Sequence, residues 1–382
     1  MKTKILYIAH SSGLQGAGYA LINILKGIIQ HDIEPVLLLP QQGPISDVAK
    51  ELGIKCYYHK CCNSTYPPCS NIKDSILFPV RLLLTCLTNY FAQRNLGKII
   101  RIEKPDIIHS NTGVIRFGAK VAKKYKIPHI WHIREYQTLD FGWTPIGGIK
   151  YQKKLYSEKN NHCISITKDV FNYFQLDNRK DVVIYDGVFS KDIKQPIISK
   201  GNYFLFVGCL KVGKGILDLI DAFDKVANEL PSDIELWLAG NDEVNIIDVI
   251  QKTSCPQKIK YLGFRKDVYE LMLGAKALIV PSHCEGFGFI TAEAMLNKCL
   301  VIGRNTGGTK EQFDNGLDLR GAEIGLRFIT IEQLCRHLIE VTSSENQYSD
   351  IINIAFDVVR ELYTTEANVD NIYRLYNKVK LK

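Results

Sequence analysis

The sequence predicts an α/β protein made of two doubly wound, Rossmann-like domains. Three observations predict it. The chain has 382 residues, more than a single hydrophobic core usually serves and enough for two domains of ordinary size. Short apolar runs recur along it. Several are followed by a glycine-broken loop and then by apolar residues at helical spacing, the strand–loop–helix rhythm of a parallel sheet. Two such turns stand side by side in Ala277–Gly308, where glycine-rich loops offer backbone N–H groups to an anion.

The composition narrows the class. Hydrophobic residues make up 46% and charged residues 23%, the balance of a globular protein rather than a disordered one. The net charge is +8, unevenly spread. Residues 1–200 carry 28 Lys and Arg against 15 Asp and Glu, a balance of +13. Residues 201–382 carry 20 against 25, a balance of −5. A basic half beside an acidic half implies that one domain meets something anionic: nucleic acid, an anionic bilayer or a phosphorylated substrate. The 11 cysteines include no C-x-x-C pair. Their odd number argues against a disulfide framework and for a reducing, cytoplasmic setting. Cys56, Cys61, Cys62 and Cys69 lack zinc-type spacing and are read as ordinary thiols, so no metal site is expected there. Lys2-Thr-Lys4 runs straight into a strand, which speaks against a signal peptide. No uninterrupted apolar run looks long enough to span a bilayer.

Taken in order, Ile5–Ala9 is a short buried strand. The turn HSSGLQGAG ends at Gly18, and Ala20–Ile29 has helical spacing. Gly13, Gly16 and Gly18 do not follow the G-x-G-x-x-G spacing. The second strand, Pro35–Leu39, ends in Pro40-Gln-Gln rather than in an acid for a ribose, which disfavours a dinucleotide site. Strands follow at Lys55–Tyr58 and Ile107–Ser110. Between them Asp74–Ile102 is apolar and aromatic, with Arg81, Arg94, Lys98 and Arg101 and almost no acids. Two readings stand: a core helix with solvated basic ends, or a helix lying on an anionic membrane face. Ile127–Ile133 is a strand ending in His132-Ile-Arg134-Glu135. Trp143, Tyr151 and Tyr156 are either core or contacts to a substrate. Asn161–Ser165 and Val182–Ile184 are the last strands of this half. Ser190–Asn202, polar and containing Pro196, reads as the linker.

The second half opens with a strand, Tyr203–Val207, then Gly208-Cys-Leu-Lys-Val-Gly-Lys214-Gly215 and a helix to Glu229. A lysine at a loop–helix junction adds a charge to a helix N-terminus, which suits a phosphate. Glu235–Ala239 and Lys260–Tyr261 are further strands. Asp242 follows one of them, where an Asp is most often turn chemistry. After the strand Ala277–Val280 come Pro281 and the loop Glu285-Gly286-Phe287-Gly288. Thr291–Asn297 reads as a helix, which would put Glu293 roughly two turns in. Leu300–Ile302 is the next strand, and Thr306-Gly307-Gly308 lead into a short helix. Glu366–Val379 has apolar residues at helical spacing.

The segment PSHCEGFGFITAEAM…VIGRNTGG resembles the E-x7-E donor-site signature of retaining glycosyltransferases of the GT-B fold, family 4. The resemblance extends over nearly the whole chain and is strongest from Asn202 to Gly308. It implies two Rossmann-like domains facing each other across a cleft. Residues 1–190 would bind the acceptor and residues 191–362 the nucleotide sugar, with 363–382 a helix crossing back to the first domain. It implies catalytic roles for Glu285 and His132, with His132 pointing into the cleft. Gly16, Lys214, Gly286, Phe287, Gly288, Glu293, Thr306, Gly307 and Gly308 would hold the nucleotide sugar. Where the family commonly has an arginine, this sequence has Cys209, and Asp186 stands for the usual Asn of a strand-end turn.

Such a transfer needs the departing diphosphate stabilised. No Asp-x-Asp occurs in the sequence. Lys214 and the helix start at Thr306–Gly308 are expected to supply positive potential in place of a metal. The expected function is a metal-independent, retaining transfer from a nucleotide sugar to a saccharide or lipid-linked acceptor in surface polysaccharide biosynthesis. The enzyme is expected in the cytoplasm, peripheral on the membrane, with no cofactor and no nucleic acid partner. Two rivals share some of these features. A GT-B epimerase would use the same glycines without an acceptor. A non-catalytic nucleic-acid binder would use the basic half, although its basic residues are not interleaved with an RNA-binding aromatic motif.

Overall fold

The structure, a computed structural model, describes residues 2–69, 71–192, 199–343 and 347–380. The chain divides into two units, Met1–Gly187 with Thr365–Lys382, and Val188–Thr364. The chain passes from one to the other at Gly187–Val188. Residues 193–198 of the expected linker lie outside the described residues.

In chain order the first unit runs β1 (Thr3–Ile8), α1 (Ala17–Ile28), β2 (Ile33–Leu39), α2 (Pro44–Glu51), β3 (Lys55–Tyr58), β4 (Thr65–Tyr66), α3 (Ile72–Glu103), β5 (Ile107–Ser110), α4 (Phe117–Tyr125), β6 (His129–Ile133), β7 (Thr144–Pro145), α5 (Gly148–Ser157), β8 (Asn161–Ser165), α6 (Lys168–Phe174) and β9 (Val182–Val183). Seven strands form one parallel sheet in the order β3-β2-β1-β5-β6-β8-β9, and β4 pairs with β7 antiparallel. The strands read as unbroken apolar runs because both faces are covered. In β1, Ile5 and Tyr7 enter one core, with α1 and α2, while Leu6 and Ile8 enter another, with α3 and α4.

The second unit runs β10 (Tyr203–Val207), a short 3-10 turn at Val212–Lys214, α7 (Ile216–Val226), β11 (Glu235–Ala239), α8 (Ile246–Gln251), β12 (Ile259–Gly263), α9 (Val268–Gly274), β13 (Ala277–Val280), α10 (Phe289–Leu296), β14 (Leu300–Arg304), α11 (Gly307–Arg320), β15 (Leu326–Phe328), α12 (Ile331–Ser343) and α13 (Ser349–Leu362). Its parallel sheet has the order β12-β11-β10-β13-β14-β15. The last helix, α14 (Thr365–Lys380), belongs to the first unit. Its Val369, Ile372, Leu375, Tyr376 and Val379 complete the core under β1 and α1. Helix α1 meets it at Gly27, where a Cβ would lie 2.6 Å from a Val369 methyl. The Tyr376 hydroxyl sits 2.8 Å from that of Tyr7 and 2.6 Å from His109 Nδ1.

Two expectations need correction. The helix after Gly308 is not short, since α11 has 14 residues. Helix α10 begins at Phe289, two residues earlier than expected, and Glu293 stands about one turn in rather than two, because Glu285–Gly288 form a loop and not part of the helix.

Helix α3 is the outlier. Asn71 caps it by accepting from the Asp74 N–H (2.8 Å), and Lys104, in the left-handed region, ends it. Its C-terminal half packs Ala92, Leu96, Ile99 and Ile100 on the sheet. Its N-terminal half exposes Ile76, Leu77, Val80, Leu83, Leu84, Leu87, Tyr90 and Phe91. With 3.6 residues per turn these share one side of the helix. The same side continues into Arg94 and Lys98. An 18-residue window has mean hydropathy 1.4 and is only 6% buried, so α3 is long and apolar enough to cross a membrane by length and composition. Counting only uninterrupted apolar residues stops at Arg81, whereas one arginine leaves the average high. The outward half of α3 is therefore not a core helix.

Candidate functional site

In the second unit, β10 and β13 are sheet neighbours, and the strand order runs outward from them in opposite directions. Loops leaving such a pair diverge, and the crevice between them is where doubly wound sheets bind ligands. A pocket of about 240 Å³ lies there, lined by Gly208, Lys214, Ser282, Glu285, Phe289 and Glu293 among others. Lys214 Nζ and Glu285 Oε2 are 2.7 Å apart, both half-buried. Glu293 rises from α10 beneath them. Burial pushes its carboxyl up to about 7, and the Tyr269 hydroxyl, donating over 3.4 Å, works against that shift.

Glycine holds these loops together by letting backbones touch. A Cβ on Gly215, which has φ +70°, would collide with the Pro281 carbonyl, so the Lys214 turn is pressed against the loop that carries Glu285. Side chains on Gly307 and Gly308 would collide with the carbonyls of Glu285 and Phe287. The Gly308 N–H donates to the Glu285 carbonyl at 2.8 Å. Gln312 Nε2 donates to the carbonyls of Phe287 and Gly288 at 2.7 and 3.0 Å.

These contacts sort the predicted residues. Lys214, Glu285 and Glu293 line one pocket. Gly307 and Gly308 serve close packing, and the Gly308 N–H is already engaged by the loop rather than open to a phosphate. Phe287 is 3% exposed and packs edge-to-face on Phe289 and Tyr363, so its ring is an anchor for the loop. Gly286 and Gly288 bracket it, and Gly288 opens α10 with φ +86°. The Thr306 hydroxyl donates to the His283 carbonyl (3.4 Å). Cys209 donates through Sγ to Glu243 Oε1 (3.1 Å). Burial and this carboxylate raise its thiol to about 11, so it is no substitute for an arginine. Asp242 accepts from the Val244 and Ile246 N–H groups at 2.9 and 2.8 Å, which is turn chemistry.

In the first unit the strand order turns at β1 and β5. Gly16 lies exposed in the loop after β1, with open space where a Cβ would stand. His132, on β6, is 0% exposed. Its Nδ1 accepts from Arg134 Nη2 (3.2 Å) and lies 3.3 Å from His109 Nε2, while Nε2 is 3.8 Å from Asp186. Burial, the Arg134 charge and His109 hold its pKa well below the usual imidazole range, so it is neutral. Arg134 pairs with Asp186 and donates to the Asn111 carbonyl (3.1 Å). Sequence reasoning missed this ion pair. The signal was Asp186 in the place of an Asn, an acid that a buried arginine requires. Glu135 was missed too. It is buried, accepts from the Gly113 N–H (2.9 Å), and is pushed up to about 8 by burial and by Asp140. Tyr156 is core at 1% exposed, whereas Tyr151 is exposed beside the Arg116 guanidinium.

With this geometry in place, comparison with known proteins gives the following. Residues 189–357 match the family described as Glycosyl transferases group 1. That match lies within the second unit and spans less than half of the chain. A glycosyltransferase of Methanocaldococcus jannaschii without assigned activity is 31% identical over 228 residues, 56% of this chain and 61% of that protein. The Escherichia coli UDP-Gal:alpha-D-GlcNAc-diphosphoundecaprenol alpha-1,3-galactosyltransferase is 24% identical over 403 aligned residues, covering 96% of this chain and 97% of that protein. Among solved structures, Anabaena HepE in complex with UDP superposes with a TM-score of 0.75 at 18% identity, covering 98% of this chain and 100% of that one. The fold is GT-B, two Rossmann-like parallel α/β units. The pocket of the second unit sits at the carboxyl edge of its sheet.

Glu135 makes a pH prediction. Its folded pKa of about 8 lies above the usual carboxylate value, so the folded chain keeps a proton that the unfolded chain gives up. The resulting stability is full at acid pH and is lost as pH rises toward about 8. Glu135→Gln should therefore gain urea stability over wild type at about pH 9 and show little difference at about pH 5. A constant difference between the two proteins at both pH values would refute it.

Proposed function

We propose that the chain is a retaining, metal-independent glycosyltransferase of family 4, with the E-x7-E pair Glu285 and Glu293. It moves a sugar from a nucleoside diphosphate sugar to a saccharide carried on a lipid, in surface polysaccharide biosynthesis at the cytoplasmic face of a membrane. The observation that carries the reading is one pocket at the strand-order reversal holding a lysine, its carboxylate partner 2.7 Å away and a second, half-buried carboxylate. UDP in the HepE complex and the diphosphoundecaprenol acceptor named for the E. coli relative support the donor and acceptor classes.

In this reading the arriving diphosphate draws Lys214 away from Glu285. The starts of α7 and α11 add positive potential. The anomeric carbon–oxygen bond to the diphosphate breaks, and a new bond forms to the acceptor oxygen on the same face. The acceptor's proton goes to the departing phosphate oxygen. Glu285, freed from its lysine, holds sugar hydroxyls and stabilises the oxocarbenium-like charge. Glu293 accepts from the ribose hydroxyls. His132, buried and neutral, acts through Arg134 and Asp186 rather than at the reacting atoms. The sequence lacks Asp-x-Asp, and Lys214 takes the role a metal has elsewhere.

Three measurements test this. Glu285→Gln should abolish transfer with circular dichroism unchanged, and Lys214→Ala should raise the barrier by about 2–4 kcal/mol, one preorganised charge contact. Wild-type turnover by purified Glu285→Gln would end the assignment, and an altered sugar released without acceptor would indicate an epimerase instead. Transfer should continue in EDTA; activity lost there and restored by manganese would show that the phosphate site is misread. Wild type should sediment with anionic vesicles at low salt. The variant with Arg81, Arg94, Lys98 and Arg101 changed to Gln should do so less, since each basic residue near such a surface contributes about 1 kcal/mol. Equal sedimentation of the two proteins would remove the membrane from the proposal.

A further inference from the structure

Helix α3 has two unlike sides. With 3.6 residues per turn, Asp74, Phe78, Leu82, Thr85 and Asn89 recur on the side turned toward the first unit. Phe78 packs edge-to-face on Tyr66 of β4, and Asn89 Oδ1 accepts from the Cys62 N–H at 2.9 Å. Ala92, Leu96 and Ile99 continue that side into the core. The helix is thus fastened to its own unit along both halves, and it cannot stand across a bilayer without peeling away. The opposite side is the apolar stripe from Ile76 to Phe91, about 24 Å long. Its large side chains are exposed by 45% at Leu87 up to 69% at Ile76. A continuous exposed apolar stripe of this length marks a surface that meets something.

The charges select the occupant. Between Ile72 and Arg101 the only acid is Asp74, which pairs with Arg81 at 2.9 Å. Lys73 closes one end of the stripe and Arg94 with Lys98 the other, all three exposed and within its arc. Two copies of this side laid together, parallel or antiparallel, would set bases against bases or against leucines, with no carboxylate to answer them. An anionic bilayer answers both parts. Its acyl layer takes the leucines, and its headgroups take the bases at the two ends. Tyr90 and Phe91 stand where the stripe passes into the basic end, the level at which aromatic side chains settle in membranes.

We infer that α3 lies in the plane of an anionic bilayer and sinks its outer side into one leaflet. The stripe from Ile76 to Phe91 enters the acyl layer to a depth of about 5–10 Å. Lys73, Arg94 and Lys98 stay among the headgroups. The inference rests on the proposed membrane setting, which asks only that basic residues be drawn to an anionic surface. It adds entry of the helix, with two consequences. Attachment outlasts high salt, because burial of apolar surface is not screened as charge is. The helix also stays on one side of the bilayer, although its length and composition alone would let it cross.

The test uses the purified full chain and vesicles of phosphatidylcholine with phosphatidylglycerol. Wild type should bind at low salt and stay bound when salt is raised to about 1 M, where the screening length is about 3 Å. The double variant Leu83→Asp with Leu87→Asp should bind at least about tenfold more weakly, since burial of one leucine is worth about that factor. Its circular dichroism should match wild type, both positions being exposed. Leu84→Trp, in mid-stripe, should add emission that lipids brominated high on the acyl chain quench and lipids brominated at the chain ends do not. Release of wild type by high salt, or equal binding by the double variant, would overturn insertion and leave salt-sensitive docking standing. Quenching chiefly from the chain ends would show a crossing helix. A dimer in sedimentation velocity that the double variant abolishes would make a second copy the occupant. Either result overturns the inference. Nucleotide-sugar turnover is measured in parallel. Turnover without insertion removes this inference alone, and insertion without turnover removes the transferase reading alone.

Discussion

The candidate site depends on backbones packed closer than any side chain permits. Gly215 against Pro281, Gly307 against Glu285 and Gly308 against Phe287 draw three strand-exit loops into one body. The Gly308 N–H to Glu285 carbonyl bond and the two Gln312 bonds then fix the loop from behind. Only with that clamp in place does Glu285 stand within 2.7 Å of Lys214, a residue 71 positions earlier. Preorganisation of this kind is what makes a fixed charge effective, because no reorganisation is needed when charge develops.

The first unit solves a different electrostatic problem. Arg134 is buried, and Asp186 answers it. Two histidines, His109 and His132, stay neutral because burial opposes a charged imidazole and the Arg134 cation opposes it further. The cluster stands where the strand order turns, and it holds Asn111 at the exit of β5 through the arginine. Its polar groups order the floor of that loop region.

Much of this was legible in the sequence. The strands Lys55–Tyr58, Ile107–Ser110, Asn161–Ser165, Tyr203–Val207, Glu235–Ala239 and Ala277–Val280 have the bounds read from their apolar runs, because each run is short and is bounded by polar or turn residues. Lys214, Glu285 and Glu293 could be grouped because their chemistry and the adjacent glycines agreed. The work of the glycines could not be read. A glycine that admits a ligand and one that admits a neighbouring carbonyl look the same in sequence, and Gly308 proved to be the second kind. Nor could the burial of His132, Arg134 and Asp186, whose partners lie on strands and loops about 50 residues apart. Helices α4, α5 and α6 were missed for a simpler reason. They are short, of 9, 10 and 7 residues, and carry too few turns to show a period.

The return of α14 to the first unit sets an order of assembly. Residues 188–364 are contiguous and contain everything their own sheet needs. The first unit lacks Ile372, Leu375 and Tyr376 until α14, which follows residues 188–364, has been made. During synthesis from the N-terminus, the earlier half must therefore wait on the ribosome with an open apolar flank beside α1, while the later half can close first. Domains usually mature in the order in which they are translated, and here the topology reverses it. Until α14 follows, the first unit carries an unfinished hydrophobic surface beside α1.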